Sequence, residues 1–146
     1  MRMFREIQQK RRGATMVEFA FFFILFMMLS LGLMEFGLGV WTYSSITHAA
    51  RAGARYAIVH GTSNPIAADA LTVTQVVENN AVGLITSSLT VATTYDNGTP
   101  GATAPNEKGN VVQVQVDYPF QLISGGLVFP GRTLNMRSTA RMVIAN

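Results

Sequence analysis

A long apolar stretch near the N-terminus is the strongest pattern in the sequence. Residues 19–34 contain no charged side chain, and Glu18 and Glu35 are the only charged residues in the wider apolar stretch over residues 14–41. About 20 apolar residues suffice for a helix to cross the hydrocarbon core of a bilayer. The pattern therefore predicts a transmembrane helix over residues 14–41.

The helical pattern continues beyond the apolar stretch. Residues 42–60 contain no proline, and Gly61 is the first strong stop signal, so we expect the helix to continue over residues 42–61. One face of this continuation carries small residues and the opposite face carries basic ones: Ala49, Gly53 and Ala57, against His48, Arg51 and Arg55. Small residues let another element approach closely, which predicts a helix-packing face. The basic face is either solvated or makes electrostatic contacts.

The remaining residues, 62–146, predict a small α+β head. Asn64 is a capping residue and Pro65 follows it at the first helical position. This pair predicts a helix from there to about Val82, with Leu71 among its apolar positions. Alternating or β-branched residues predict three strands, at Ser87–Tyr95, Asn110–Tyr118 and Thr133–Ile144. We expect a three-stranded antiparallel sheet that packs on the N-terminal helix.

The basic character of the chain comes from its first residues. Residues 1–12 hold five Lys or Arg against one Glu, whereas the rest holds six against seven acids. The positive-inside rule places residues 1–13 in the cytoplasm and the head outside, with Trp41 and Tyr43 at the outer interface. A basic tail without a groove or interleaved aromatic residues predicts no nucleic-acid partner. The apolar helix instead predicts membrane lipid as a partner.

A cleaved secretory signal is an alternative, because it also begins with basic residues and an apolar core. Such a core usually has about 7–15 residues, and the one here is longer. The small-residue sites near Ala50 and Ala54 lie well beyond it. A retained helix therefore fits the sequence better.

Glu18 requires an explanation because a charge near the bilayer centre costs about 2.5 kcal/mol or more, and less near its edge. The carboxylate either lies solvated at the cytoplasmic interface or pairs with a cation in the membrane. Glu35 lies on a different face of the helix and near the opposite interface. The two acids therefore do not form one site.

The sequence contains no complete catalytic or metal-binding set. It has no Cys, which excludes thiol nucleophiles and thiolate–metal sites. His48 and His60 lie on different sides of a helix. Ser44 and His48 have i, i+4 spacing, but a nucleophile and base need an orienting group as well. We therefore predict no catalytic residue, no metal and no cofactor.

The order of motifs from residue 11 onward resembles a known family. The segments RRGATMVEFAFFF, at residues 11–23, and LGLMEFGLGVW, at residues 31–41, are similar to the start of TadE-like minor pseudopilins of tight-adherence (Tad) type IV pili. The resemblance covers residues 11–60 strongly. It implies a pilin-like α+β fold in which a long N-terminal spine helix packs on a small sheet. Tad major pilins are shorter and carry Tyr at the position of Phe19, so the resemblance favours a minor subunit.

The resemblance also implies a processing site and an assembly residue. A prepilin peptidase would cleave between Gly13 and Ala14 and remove the basic leader. Glu18 and Phe19 would then form the recognition pair near the mature N-terminus. In pilin-like families this glutamate compensates the positive amine of an adjacent subunit. The implied partners are the peptidase, other pilin or pseudopilin subunits and an inner-membrane assembly platform.

Three functions remain open on the sequence. The first is a minor pilin, inserted in the bacterial inner membrane, that takes part in assembling a Tad adhesion pilus. The second is an uncleaved single-pass anchor with an extracytoplasmic interaction head. The third, a membrane-tethered enzyme, has no site to support it. Glu35 and the basic residues His48, Arg51 and Arg55 are candidate electrostatic contacts with neighbours or lipid headgroups.

Overall fold

The chain consists of a helical N-terminal part and a mixed C-terminal part. The computed structural model describes residues 2–62, 68–99, 103–122 and 133–145. Side chains are described from residue 15 onward. The chain divides into two units, Met1–Gly37 and Leu38–Asn146. A long helix, a further helix and a three-stranded antiparallel sheet confirm the predicted α+β class.

Helix α1 spans Arg2–Val59. It contains no proline, and its many Leu, Met and Ala residues favour the helical state. The helix begins within the basic N-terminal segment and ends two residues before Gly61, where the prediction ended it. The amide of His60 still donates to the carbonyl of Tyr56 at 3.2 Å, which closes the last turn.

Helix α2 spans Ala70–Asn80 and begins at a capping box. The amide of Thr72 donates to Asp69 Oδ1 at 2.7 Å, and the amide of Asp69 donates to Thr72 Oγ1 at 3.1 Å. The predicted start at Asn64 and Pro65 lies outside the described residues. The predicted continuous helix from there was wrong, because Ala68 and Asp69 are not helical.

Leu71, one of the apolar positions of the predicted helix, has a side chain that is 73% exposed. Val73 and Val77 are fully buried and, four residues apart, define the buried face of this helix. Leu71 precedes Val73 by two residues, which places it on the opposite side. Hydrophobicity alone did not distinguish the two positions.

The sheet is an antiparallel meander with the order β1-β2-β3. Strand β1 spans Thr90–Asp96, β2 spans Val111–Gln121 and β3 spans Thr133–Val143. The first strand begins later than predicted because Thr86–Ser88 forms a 3-10 turn. The central strand continues through Pro119, which pairs only with β3 because β1 does not extend that far.

The register places one apolar face of the sheet toward the core. Val114 pairs with Thr93 of β1 and with Ala140 of β3, so these three residues share the inner face. On the outer face, Arg141 of β3 reaches across β2 to Asp96 of β1, with Nη2 to Oδ2 at 2.7 Å. This ion pair links both edge strands.

The core lies where α1 contacts α2 and the inner face of the sheet. Its fully buried members are Ile46, Ala49, Ala50, Ala54 and Ala57 of α1, Val73 and Val77 of α2, and Val112, Val114 and Val116 of β2. Small residues thus dominate the α1 side, and valines dominate the other. Burying a valine side chain contributes about 1.5 kcal/mol or more, so the buried valines of this layer stabilise the second unit.

Gly53 marks the closest approach of α1 to its neighbours. A Cβ at this position would lie 2.5 Å from Val77 Cγ2 and 3.4 Å from Val73 Cγ1. It would also lie 3.5 Å from Val114 Cγ1. The α1 backbone is therefore in contact with both α2 and the sheet at one point, and no side chain fits between them.

We expect Gly53→Leu to destabilise the second unit by about 1–3 kcal/mol, because the added side chain overpacks the core. The measurement is thermal unfolding of the full chain in detergent, followed by the fluorescence of Trp41, the one tryptophan. Gly32→Leu is the matched control, since nothing lies within 4 Å of a Cβ there. Equal melting temperatures for the two variants would contradict this account of the core.

We also expect the cap of α2 to make stability depend on pH. Hydrogen bonds from the amide and hydroxyl of Thr72 lower the pKa of Asp69 below 3.8. A lowered folded-state pKa stabilises the fold above pH 3.8, and this contribution disappears as the pH falls through the folded-state pKa. Asp69→Ala should therefore lower the melting temperature at pH 7, with a difference from wild type that shrinks in acid.

Asp69→Asn is the control for the cap, because asparagine accepts the same hydrogen bonds but does not titrate. We expect it to melt close to wild type at pH 7. Melting curves for the three proteins between pH 7 and pH 2 test both statements. A difference between wild type and Asp69→Ala that stays constant over this range would refute the titration of the cap.

Candidate functional site

The apolar part of α1 in the first unit exposes nearly all of its side chains. The large residues that are at least 60% exposed there include Phe19, Phe21, Phe22, Phe26, Leu29, Leu33, Met34 and Phe36. Water-soluble proteins rarely expose a contiguous apolar patch of this size. A helix that is apolar on all sides is typical of one surrounded by lipid or by other apolar helices.

Length and hydropathy of α1 also satisfy the requirements for crossing a bilayer. Within the described part of the chain, one helical segment does so, Thr15–Val59, which reaches a mean hydropathy of 2.3. The side chains of its apolar window are not buried within the protein. The helix therefore fits a single-pass membrane anchor.

Glu18 lies on this exposed apolar surface, next to a pair of stacked rings. Phe19 and Phe23 stack with ring centroids 6.1 Å apart, and Phe19 is itself 70% exposed. Among the side chains described from residue 15 onward, none forms an ion pair or hydrogen bond with Glu18. Gly13 and Ala14 lie within α1, and their surroundings fall outside the described side chains.

Ala49, Gly53 and Ala57 lie in the core of the second unit, where they pack against α2 and β2. Ala54 is fully buried beside them. This part of α1 therefore uses its small residues within the chain itself. It does not present them to a second molecule.

His48, Arg51 and Arg55 form an exposed basic stripe on the opposite side of α1. Within the parts of the chain that are described, the stripe makes no ion pair. The side chains of Ser44 and His48 are exposed and not hydrogen-bonded to each other. The stripe is thus available to an acidic neighbour or to lipid phosphate.

His60 and Glu35 are not brought into this stripe. The ring of His60 stacks on Tyr56 at 4.1 Å, and its Nδ1 lies 2.9 Å from the carbonyl oxygen of Tyr56. Glu35 is half-buried and belongs to the first unit. No group of three or more His, Asp or Glu side chains with metal-binding geometry occurs among the residues that the structure describes.

A junction between α1 and the α2–β1 connection was missed by the sequence analysis. Ser45 Oγ donates to the carbonyl of Val82 at 3.0 Å. Gly83 has a φ of +74°, and a Cβ there would collide with the ring of Trp41. In the sequence, only the glycine between Val82 and Leu84 indicates a turn here. Nothing in the sequence indicates that this turn contacts Trp41.

A second missed contact joins β3 to α1. Ser138 is buried on the inner face of β3, and its Oγ donates to Thr47 Oγ1 at 3.1 Å. The hydroxyl of Thr47 in turn donates to the carbonyl of Tyr43 at 2.8 Å. The alternation in β3 placed Ser138 on the apolar face, but only the fold supplies its partner.

The comparison with protein families identifies the N-terminal segment. A family profile described as TadE-like protein matches residues 13–55. The match confirms the resemblance and is consistent with a TadE-like protein of Tad pilus systems. It includes the exposed apolar helix, Glu18 and the small residues through Gly53. No curated protein and no solved structure matches the chain.

We expect reversal of the basic stripe to leave the fold intact. The double variant Arg51→Glu, Arg55→Glu should change the free energy of unfolding by no more than about 0.5 kcal/mol, as usual for surface positions. Arg141→Glu is the matched charge reversal, and it should lower stability clearly because Asp96 is only 7% exposed. Thermal unfolding followed by Trp41 fluorescence compares them. A large loss in the double variant would show that the stripe supports the fold.

Proposed function

We propose that this chain, whose residues 13–55 are TadE-like, is a minor pilin or pseudopilin that takes part in assembling a Tad adhesion pilus. One observation carries the proposal: the family match falls on a helix that exposes an apolar surface up to Gly37 and then forms the core of the head. Such a helix anchors a subunit in lipid and can then pack beside other subunits. The TadE-like family is a family of structural pilus components, which favours a non-enzymatic role.

The proposed topology has the N-terminus in the cytoplasm and the head in the periplasm or outside the cell. It is supported by the five basic residues among residues 1–12, directly before the apolar stretch. The proposed sections are a leader over residues 1–13, a membrane helix over 14–41, its continuation over 42–61 and a head over 62–146. The proposed membrane is the bacterial inner membrane, where the chain would contact lipid and the assembly platform.

We further propose that a prepilin peptidase cleaves after Gly13. Ala14 would then carry a free, positively charged amine four residues before Glu18. A carboxylate and an amine attract each other more strongly at low dielectric than in water. Pairing Glu18 with the amine of a neighbouring subunit would offset the cost of holding the carboxylate among apolar side chains. The exposure of Glu18 and Phe19 supports recognition by a second molecule.

The second candidate is an uncleaved anchor that presents an interaction head. One observation favours it: α1 runs from Arg2 through Gly13 without a break. An uncut chain would keep these basic helical turns, about three of them, at the cytoplasmic interface. The two candidates differ in the mass of the N-terminus and in whether the protein leaves the membrane with the fibres.

The decisive measurement is N-terminal mass analysis of the protein from membranes and from sheared fibres, with and without the peptidase. We expect the chain to begin at Ala14 in fibres and at Met1 in the strain that lacks the peptidase. Intact residues 1–13 on protein within fibres would reject processing. Protein that stays in the membrane after shearing, with residues 1–13 intact, would favour the uncleaved anchor.

We expect Glu18→Ala to insert in the membrane normally and to fail in assembly, because the carboxylate that pairs with a neighbour is lost. Glu35→Ala is the matched control, since it removes an acid from the same helix but from a different face. The measurements are membrane fractionation and the amount of protein in sheared fibres. Equal amounts of the two variants in sheared fibres would contradict the role proposed for Glu18.

A further inference from the structure

The second unit exposes an apolar patch beside the start of its part of α1. Trp41, Val82 and Ile85, which we name the basal patch, are 48%, 70% and 65% exposed. Trp41 and Ile85 line one groove of about 230 Å³ together with Leu38 and Phe120. Large apolar side chains from α1, from the α2–β1 connection and from β2 therefore meet in one place.

The backbone beneath this patch is held firmly. Ser45 bonds to the carbonyl of Val82, and the turn at Gly83 lies on the ring of Trp41. The amide of Leu84 donates to the carbonyl of Ala81 at 3.3 Å, which closes the turn. Val82 and Ile85 flank this turn, and both side chains are exposed.

The patch also lacks charge. No Asp, Glu, Lys or Arg occurs between Glu78 and Asp96, so the whole α2–β1 connection and most of β1 are uncharged. Of the two ion pairs among the described residues, Asp96–Arg141 lies at the far end of β1, whereas Asp117–Arg137 lies beside Ser88 and Thr90. The three side chains of the patch are themselves uncharged, so they can enter a region of low dielectric without the cost of burying a charge.

Connectivity places a membrane close to this patch. Leu38 lines the groove and directly follows Gly37, the last residue of the exposed apolar unit. Trp41 lies four residues beyond Gly37, or about 6 Å along a helix. Tryptophan is enriched where a helix leaves the hydrocarbon core, because its ring is apolar and its N–H is polar. An outer membrane interface at Trp41 would therefore also meet the turn at Gly83 and the side chain of Ile85, which lie beside Trp41.

We propose that the basal patch of Trp41, Val82 and Ile85 inserts into the interface of the bilayer that holds α1. The contact fixes the head against the outer surface of the membrane, so the subunit has two membrane contacts that are far apart in sequence. This inference rests on the proposed membrane insertion of α1. We assign lipid as the occupant, because Trp41 of the patch belongs to the same helix as the proposed membrane-spanning segment.

The test uses single-cysteine variants, which the chain permits because it has no Cys. Val82→Cys and Ile85→Cys are labelled with an environment-sensitive dye and reconstituted as full chains, one per nanodisc. The lipids are phosphatidylethanolamine and phosphatidylglycerol, with nitroxide-bearing lipid as quencher. Asn97→Cys, on an exposed turn after β1, and Leu25→Cys, in the apolar helix, are the two controls.

We expect a several-fold larger loss of fluorescence at positions 82 and 85 than at position 97. Quenching at position 25 but not at 82 and 85 would overturn the inference and leave the proposed membrane anchor intact. No quenching at position 25 would contradict the anchor itself. The dye at positions 82 and 85 could also report an apolar environment only when several copies share a disc, without quenching by the nitroxide lipid. That result would assign the patch to a second copy of the chain and would also overturn the inference.

Discussion

The second unit depends on one close contact, made where α1 has no side chain. At Gly53 the helix backbone lies against Val77 of α2 and Val114 of β2. Alanines at positions 49, 50, 54 and 57 widen this contact into a shallow face that the valines fill. Because the face is shallow, the sheet and α2 can pack close to the axis of α1. A larger side chain at its centre would separate all three elements.

Helix α1 can lie in lipid at one end and in the core of the head at the other, because its backbone needs no hydrogen-bond partner from either. An α-helix satisfies its own hydrogen bonds, so it is stable in lipid, where an open sheet edge is not. Only the side chains change along α1: they are large and apolar before Gly37, whereas after Ile46 one face is small and buried and the other is exposed. The family match, residues 13–55, covers parts of both units.

The elements with a clear period could be predicted from sequence, and the contacts between them could not. The alternation over Asn110–Tyr118 and Thr133–Ile144 predicted two strands close to the observed Val111–Gln121 and Thr133–Val143, because a half-buried strand must alternate. The start of α2 was wrong because Asn64–Pro65 is a strong local signal, whereas the Asp69–Thr72 box depends on the geometry of both side chains. Gly83 against Trp41 joins residues far apart in sequence. No local pattern encodes such a pair. The roles of Gly13, Ala14 and Glu18 remain predictions.

The roles proposed for Glu18 and for the basal patch favour different neighbours at the two ends of the apolar helix. An apolar helix packs about equally well with lipid tails and with apolar side chains. Glu18 would favour a protein neighbour over lipid, because such a neighbour can offer a cation to the carboxylate. The basal patch of Trp41, Val82 and Ile85 would favour lipid, since an uncharged patch with an aromatic ring is stable at the membrane interface. Taken together, the two proposals mean that a subunit gains a protein neighbour near Glu18 and gives up a lipid contact at the basal patch when it leaves the membrane.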